Sequence, residues 1–199
     1  MKALTKSKQE QISPDTALQM LKEGNSRFVQ NKMISRDLQG QVTDTSTGQF
    51  PFAAILSCID SRVPAEIVFD QGIGDIFSAR VAGNIVNEDV LGSIEYACKV
   101  AGSKIVVVMG HTKCGAVTAA CKNVELGNIT ALLAKIKPAI DENIEMNDAV
   151  VEEVVLKNIH LSLDTIRKQS PILQEMESKG LIKMTGALYD VSSGIVSIL

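Results

Sequence analysis

The chain has 199 residues, 45% of them hydrophobic, with a formal net charge of −3 and a pI near 5.5. Those values suit a globular protein with a substantial core and exclude a disordered tail; 20 Lys and Arg against 23 Asp and Glu leave no basic surplus to neutralise a nucleic-acid backbone. The first 11 residues carry positive charge but no apolar leader core, and no run reaches the roughly 18 apolar residues of a membrane span, so a cytoplasmic protein with no membrane partner is expected.

In chain order, residues 14–32 place Ala17, Leu18, Leu21, Phe28 and Val29 at helical spacing, with Ser13 or Asp15 as cap. Gly24-Asn25 in their midst predicts a break, and hence two short helices. Residues 35–49 are rich in Gln, Asp, Ser, Thr and Gly and read as a surface connection. One domain is expected, with 1–48 as an N-terminal helical arm and 49–199 as an α/β core.

Residues 52–58, 75–81 and 104–110 are short, mostly apolar runs that read as parallel central strands. Between the second and third, Val90, Leu91, Ile94, Ala97 and Cys98 recur at helical spacing, and Gly102 stops the helix; strand, helix, strand implies a right-handed crossover. A short helix begins near Ala116. Further helical patterns cover 129–137 and 149–169, separated by Pro138 and an acidic stretch at 141–148 that reads as a solvated loop or helix face. Pro171 starts another helix that ends before Gly180, and residues 182–191, a Ser-Ser-Gly turn and 195–199 read as a strand, a turn and an edge strand. The fold class is α/β, with a mainly parallel central sheet flanked by helices.

Two islands carry the chemistry: Cys58-Ile-Asp-Ser-Arg-Val-Pro and His111-Thr-Lys-Cys-Gly, each just after a predicted strand. In open α/β sheets the ligand crevice lies at the carboxyl ends of the strands, so the islands can converge. Cys58, His111 and Cys114 then supply two thiolates and one imidazole, a set that holds zinc with a fourth position left over. Asp60 has two possible uses. It can be the fourth ligand, closing the site, or it can pair with the forked guanidinium of Arg62 and accept a hydrogen bond from a group on the metal. A closed structural zinc staple is the competing reading, and the lack of Cys-x-x-Cys spacing argues against a redox pair.

Cys98 and Cys121 sit in apolar helical patterns and read as small buried hydrophobes. Gln71-Gly-Ile-Gly-Asp reads as a tight turn, because it lacks the third glycine and the strand-to-helix setting of a dinucleotide fingerprint. His160, one turn from Asp164, reads as a surface or packing residue.

With Cys-x-Asp-x-Arg and His-x-x-Cys at this separation, the chain resembles the β-class carbonic anhydrases. Gln49, Phe77, Ala82-Gly-Asn after Arg80, and Ile94-Glu-Tyr-Ala extend the likeness, which runs from about residue 48 to 117 and more loosely beyond. The resemblance implies reversible hydration of carbon dioxide to bicarbonate and a proton by a zinc-held hydroxide, with one Zn²⁺ per chain. It implies Cys58, His111 and Cys114 as ligands and Asp60 with Arg62 as the dyad that orients the hydroxide. Gln49 and the Gly115 N–H would assist the substrate, and Phe77, Ala82 and Tyr96 would wall its pocket. It also implies a homodimer or larger even-numbered assembly, with N-terminal helices packing on a partner subunit and some pocket residues serving the neighbour's metal. Family members with a regulatory bicarbonate site use Trp, Arg and Tyr; Arg80 and Tyr96 match, but Ile55 replaces the Trp, so that site is not expected. A hydrolase of carbon disulfide or carbonyl sulfide and a non-catalytic zinc-stabilised scaffold remain as alternatives.

Overall fold

Strands β1 (Ala53–Ser57) and β3 (Ile105–His111) are buried along their whole length, as parallel strands are when helices cover both faces of the sheet. The computed structural model describes residues 2–141 and 147–199, so the acidic stretch around Glu142 lies outside the described residues. Strands β2 (Ile76–Arg80), β4 (Lys183–Tyr189) and β5 (Val196–Ile198) complete a sheet of order β2-β1-β3-β4-β5. The first four strands are parallel, and β5 runs antiparallel on β4 as a C-terminal edge.

Alternation along the strands splits the core in two. Ala53, Ile55, Ile105, Val107 and Met109 face a layer made by α2 (Pro14–Val29) and α4 (Ala65–Val68), through Ala17, Leu21, Val68 and Phe69. Leu56, Val106 and Val108 face the other layer, formed by α5 (Glu88–Glu95), α6 (Gly115–Cys121), α7 (Gly127–Leu133), α8 (Asp148–Gln169) and α9 (Pro171–Ser178). Helix α5 runs on as a π turn over Tyr96–Val100 and stops at Gly102, whose φ of +86° is the left-handed conformation expected of a C-terminal glycine.

Three sequence expectations are corrected. Gly24-Asn25 does not break the first helix: α2 is continuous, capped by Ser13, and both residues are buried. A Cβ at Gly24 would lie 1.8 Å from the Phe69 carbonyl oxygen, so the glycine is there for close helix approach. Asn25 sits beside it and donates to the carbonyls of Val68 and Gly194 at 3.1 and 2.8 Å.

The segment expected as a surface connection contains α3 (Leu38–Thr45), capped by the Asp37 carboxylate on the Gly40 N–H at 2.9 Å. Its single buried side chain, Gln41, accepts from the Ile73 N–H at 3.1 Å. That buried residue is an amide, and the helix's two large apolar side chains, Leu38 and Val42, are exposed, so there is no extended apolar stripe for a periodicity reading to detect. Strand β2 is an edge, with only Ile76 buried and alternate residues exposed, because among the described residues no strand pairs its outer side.

Helix α2 packs on the sheet of its own chain, and α1 (Lys6–Glu10) is tied to the loops that lead into it. From α1, the buried Gln9 amide donates to the carbonyls of Pro51 and Ala101 at 2.7 and 2.8 Å. Asp70, fully buried at φ +46°, receives the guanidiniums of Arg27 and Arg36 and the Ile34 N–H at 3.2 Å, tying the chain after α2 to the end of α4.

Candidate metal centre

Ser57 at the end of β1 lies in register with Met109 of neighbouring β3, so the residues that follow emerge together at the carboxyl edge of the sheet. Cys58 comes directly after β1, His111 is the last residue of β3, and Cys114 is the N-cap of α6. Their two sulfurs and one ring nitrogen lie within 4.8 Å of one another, and all three residues are buried. The turn between His111 and Cys114 requires Lys113 at φ +54°, held by its N–H on the Glu152 carboxylate at 2.7 Å.

His111 Nδ1 lies 2.9 Å from the Thr112 carbonyl oxygen and must donate to it, which leaves Nε2 with a bare lone pair. Nε2 is buried with no hydrogen-bond partner, an arrangement that costs stability unless a metal uses the nitrogen. Tetrahedral zinc with these donors needs ligand atoms roughly 3.5–3.8 Å apart, so a contraction of about an ångström at most seats the ion. The donor set fits.

The cysteines share a proton. Donation from Cys114 lowers the Cys58 pKa to about 4 against the opposing effect of burial, with His111 and the N–H groups of Asp60 and Gly83 adding to the shift. The same contact, then burial, pushes the Cys114 thiol up. The contact favours the thiolate at Cys58, and a divalent cation would displace the proton that remains on Cys114.

Asp60 is turned onto Arg62, whose Nε and Nη2 donate to its two carboxylate oxygens at 2.9 and 2.7 Å; the Arg62 N–H adds a third bond at 3.0 Å. Arg62 Nη2 also reaches the Lys113 carbonyl at 3.3 Å, bridging the two islands. Of the two uses open to Asp60, the structure displays the pairing with Arg62.

The five other site candidates divide. Ala82 precedes Gly83, whose N–H lies 3.4 Å from Cys58 Sγ, and Gly115 opens α6 beside Cys114, so both flank the ligands. Phe77 and Tyr96 meet edge to face at 6.3 Å along an open groove of about 700 Å³ between β2 and α5, and none of the three ligand candidates lines it. Gln49 is exposed just ahead of β1.

Arg80 is bound to backbone, donating to the Cys58 carbonyl at 3.1 Å and the Asp60 carbonyl at 2.7 Å. It fastens the first island, a contribution that sequence reasoning missed although its place at the end of a predicted strand was a signal. Glu152 carried none, being one acid among several on α8. His160 is exposed, and Asp164 lies 3.8 Å from Arg167 instead. Cys98 and Cys121 are buried as expected, and burial pushes the Cys98 thiol up to about 12. The turn at 71–75 closes by the Gly72 N–H on the Asp75 carboxylate at 2.8 Å, with Gly74 at φ +86°.

A sequence profile of the family described as "Carbonic anhydrase" matches residues 53–196. Carbonic anhydrase 2 of Mycobacterium tuberculosis is 35% identical over 191 residues, covering 92% of this chain and 91% of its own. The carbonic anhydrase of Mycolicibacterium smegmatis is 32% identical over 193 residues, covering 94% and 93%. Among solved structures, the β-carbonic anhydrase CafA of Aspergillus fumigatus superposes with a TM-score of 0.73 at 28% identity, over 93% of this chain and 89% of that one. With this sheet order, this cluster of donors and these relatives, the chain belongs to the β-carbonic anhydrase family.

Proposed function

We propose that this protein hydrates carbon dioxide reversibly to bicarbonate and a proton, with one zinc held by Cys58, His111 and Cys114. The observation that carries this reading is the buried His111 Nε2 without a hydrogen-bond partner, in a cluster whose two thiol sulfurs and one imidazole nitrogen lie within 4.8 Å of one another, beside a carboxylate held by Arg62. When bound, zinc supplies a water acidified enough to act as a nucleophile near neutral pH. Two thiolates donate more charge than two imidazoles and blunt that acidification, so Asp60 has work to do. Fixed by Arg62, its carboxylate would accept a hydrogen bond from the nucleophile's O–H and so leave a lone pair of that oxygen facing the substrate. The Gly115 N–H and the Gln49 amide donate to substrate oxygens, and Ala82, Phe77 and Tyr96 supply apolar wall.

Phe77, Tyr96 and Gln49 serve the neighbouring subunit's centre, since in their own chain they stand apart from it. We place the protein in the cytoplasm as a homodimer or larger even-numbered oligomer of single-domain chains, in which the arm of residues 1–48 also contacts the partner. An exposed groove along the β2 edge and the exposed apolar side chains Leu38 and Val42 of α3 favour such pairing. Among the described residues no helix is long and apolar enough to cross a membrane.

A closed structural staple is disfavoured because Asp60 points at Arg62. Stopped-flow proton release on mixing the zinc-loaded protein with carbon dioxide tests the reading. Rapid acidification above the uncatalysed rate is expected, whereas release only with carbon disulfide or carbonyl sulfide, or with none of the three, would reject it.

A further inference from the structure

Helix α8 buries one face, made of Val154, Val155, Asn158, Ile159, Ser162, Leu163 and Ile166. Two polar residues stand in that apolar row, one turn apart. Asn158, 1% exposed, donates from Nδ2 to the Gly83 carbonyl at 2.8 Å, and Ser162, 4% exposed, donates from Oγ to the Asn84 carbonyl at 3.0 Å. The N–H of the same Gly83 faces Cys58 Sγ at 3.4 Å.

We propose that Asn158 and Ser162 are positioning residues for the Cys58 thiolate, acting through the Gly83-Asn84 turn that they hold. The inference rests on the reading of Cys58 as a metal ligand. Three features of the turn support it. Gly83 and Asn84 both sit in the left-handed region, at φ +67° and +43°; they are the residue types that adopt it most readily, so the sequence itself encodes a tight turn beside Cys58. A Cβ at Gly83 would lie 2.6 Å from Ile136 Cδ1, so the turn is pressed against the helical layer. Asn158 Oδ1 is buried without a partner, so this asparagine is a poor choice for stability alone. Its amide N–H, fixing the peptide plane on one side of Gly83 while Ser162 fixes the next, accounts for a polar residue there.

A hydrogen bond to a thiolate stabilises charge on sulfur and limits what it donates to a metal, and partners one step behind a ligand typically control affinity by about 10–100-fold. The test uses full-length protein loaded with zinc or cobalt(II), with the variants Asn158→Leu and Ser162→Ala. Asn25→Leu is the control; it removes another buried asparagine, 6% exposed, which donates to the Val68 and Gly194 carbonyls and accepts from the Val196 N–H. Chelator competition is expected to show Asn158→Leu binding zinc about 10–100-fold more weakly. The thiolate-to-cobalt charge-transfer band is expected to move to lower energy, with Ser162→Ala shifting it less. Asn25→Leu is expected to lose stability but keep the wild-type band and affinity.

Wild-type band and affinity in both α8 variants would overturn the proposal, as would an equal shift in Asn25→Leu. Should Asn158→Leu fail to fold, Ser162→Ala decides alone by the same criterion. Wild-type protein showing no thiolate-to-cobalt band would instead remove the metal centre itself, and this proposal with it.

Discussion

Arg62 grips the Asp60 carboxylate with both arms of its fork, while Asp60 Oδ2 remains 3.9 Å from His111 Nε2. The Arg62 contact holds the Asp60 carboxyl well below the usual carboxylate range against the opposing effect of burial. Asp60 is therefore an ionised acceptor at the rim of the ligand cluster throughout the neutral range.

Asp60→Asn is expected to keep its zinc and lose about 10²–10³ in kcat/KM, since an amide offers one acceptor where the carboxylate offers two. Elemental analysis alongside the carbon dioxide assay checks both halves. Normal turnover in this variant would remove Asp60 from the mechanism.

Gly24→Ala sets two effects against each other. Alanine favours a helix interior over glycine by about 1 kcal/mol, but the added carbon would meet the Phe69 carbonyl oxygen at 1.8 Å. A clash with backbone cannot be relieved by a rotamer change, so overpacking wins, and a net destabilisation of about 2–3 kcal/mol is expected. Urea denaturation reads it; an unchanged or raised midpoint would show that α2 does not pack so closely.

That glycine also shows where sequence reading stops. The strands β1 and β3 and the two ligand islands were legible, because buried parallel strands are written as continuous apolar runs and two cysteines with a histidine at strand ends suit little besides a metal. Gly24 reads locally as a break, and only the approach of Phe69 from 45 residues away reverses that. Helix α3 escaped because Gln41 is its one buried side chain, and β2 looked central because its composition does not tell whether a strand has one neighbour or two. At the site, Arg80 and Asn158 donate to backbone carbonyls of other segments and Gly83 offers its own N–H to Cys58 Sγ, and sequence spacing carries no trace of those pairings.

Asp70 gives a pH-dependent stability whose sign follows from its surroundings. Burial alone would raise its pKa, but Arg27, Arg36 and the Ile34 N–H more than offset it and hold the carboxyl below its ordinary value. A depressed folded pKa stabilises above the unfolded value of about 3.9, and the contribution is lost as pH falls through the folded one. Asp70→Asn strands two guanidiniums, one of them only 7% exposed, and is expected to cost about 3–5 kcal/mol at pH 7. The gap between variant and wild type should narrow below about pH 4. Denaturation at pH 7 and pH 3.5 checks this; a gap that is constant or widens in acid would contradict it.

The metal content of purified wild type and Cys58→Ser bears most directly on the central claim that Cys58, His111 and Cys114 grip one ion. One zinc per wild-type chain and none in a folded Cys58→Ser variant is the expected result. A folded Cys58→Ser protein that retains one zinc per chain would contradict the account.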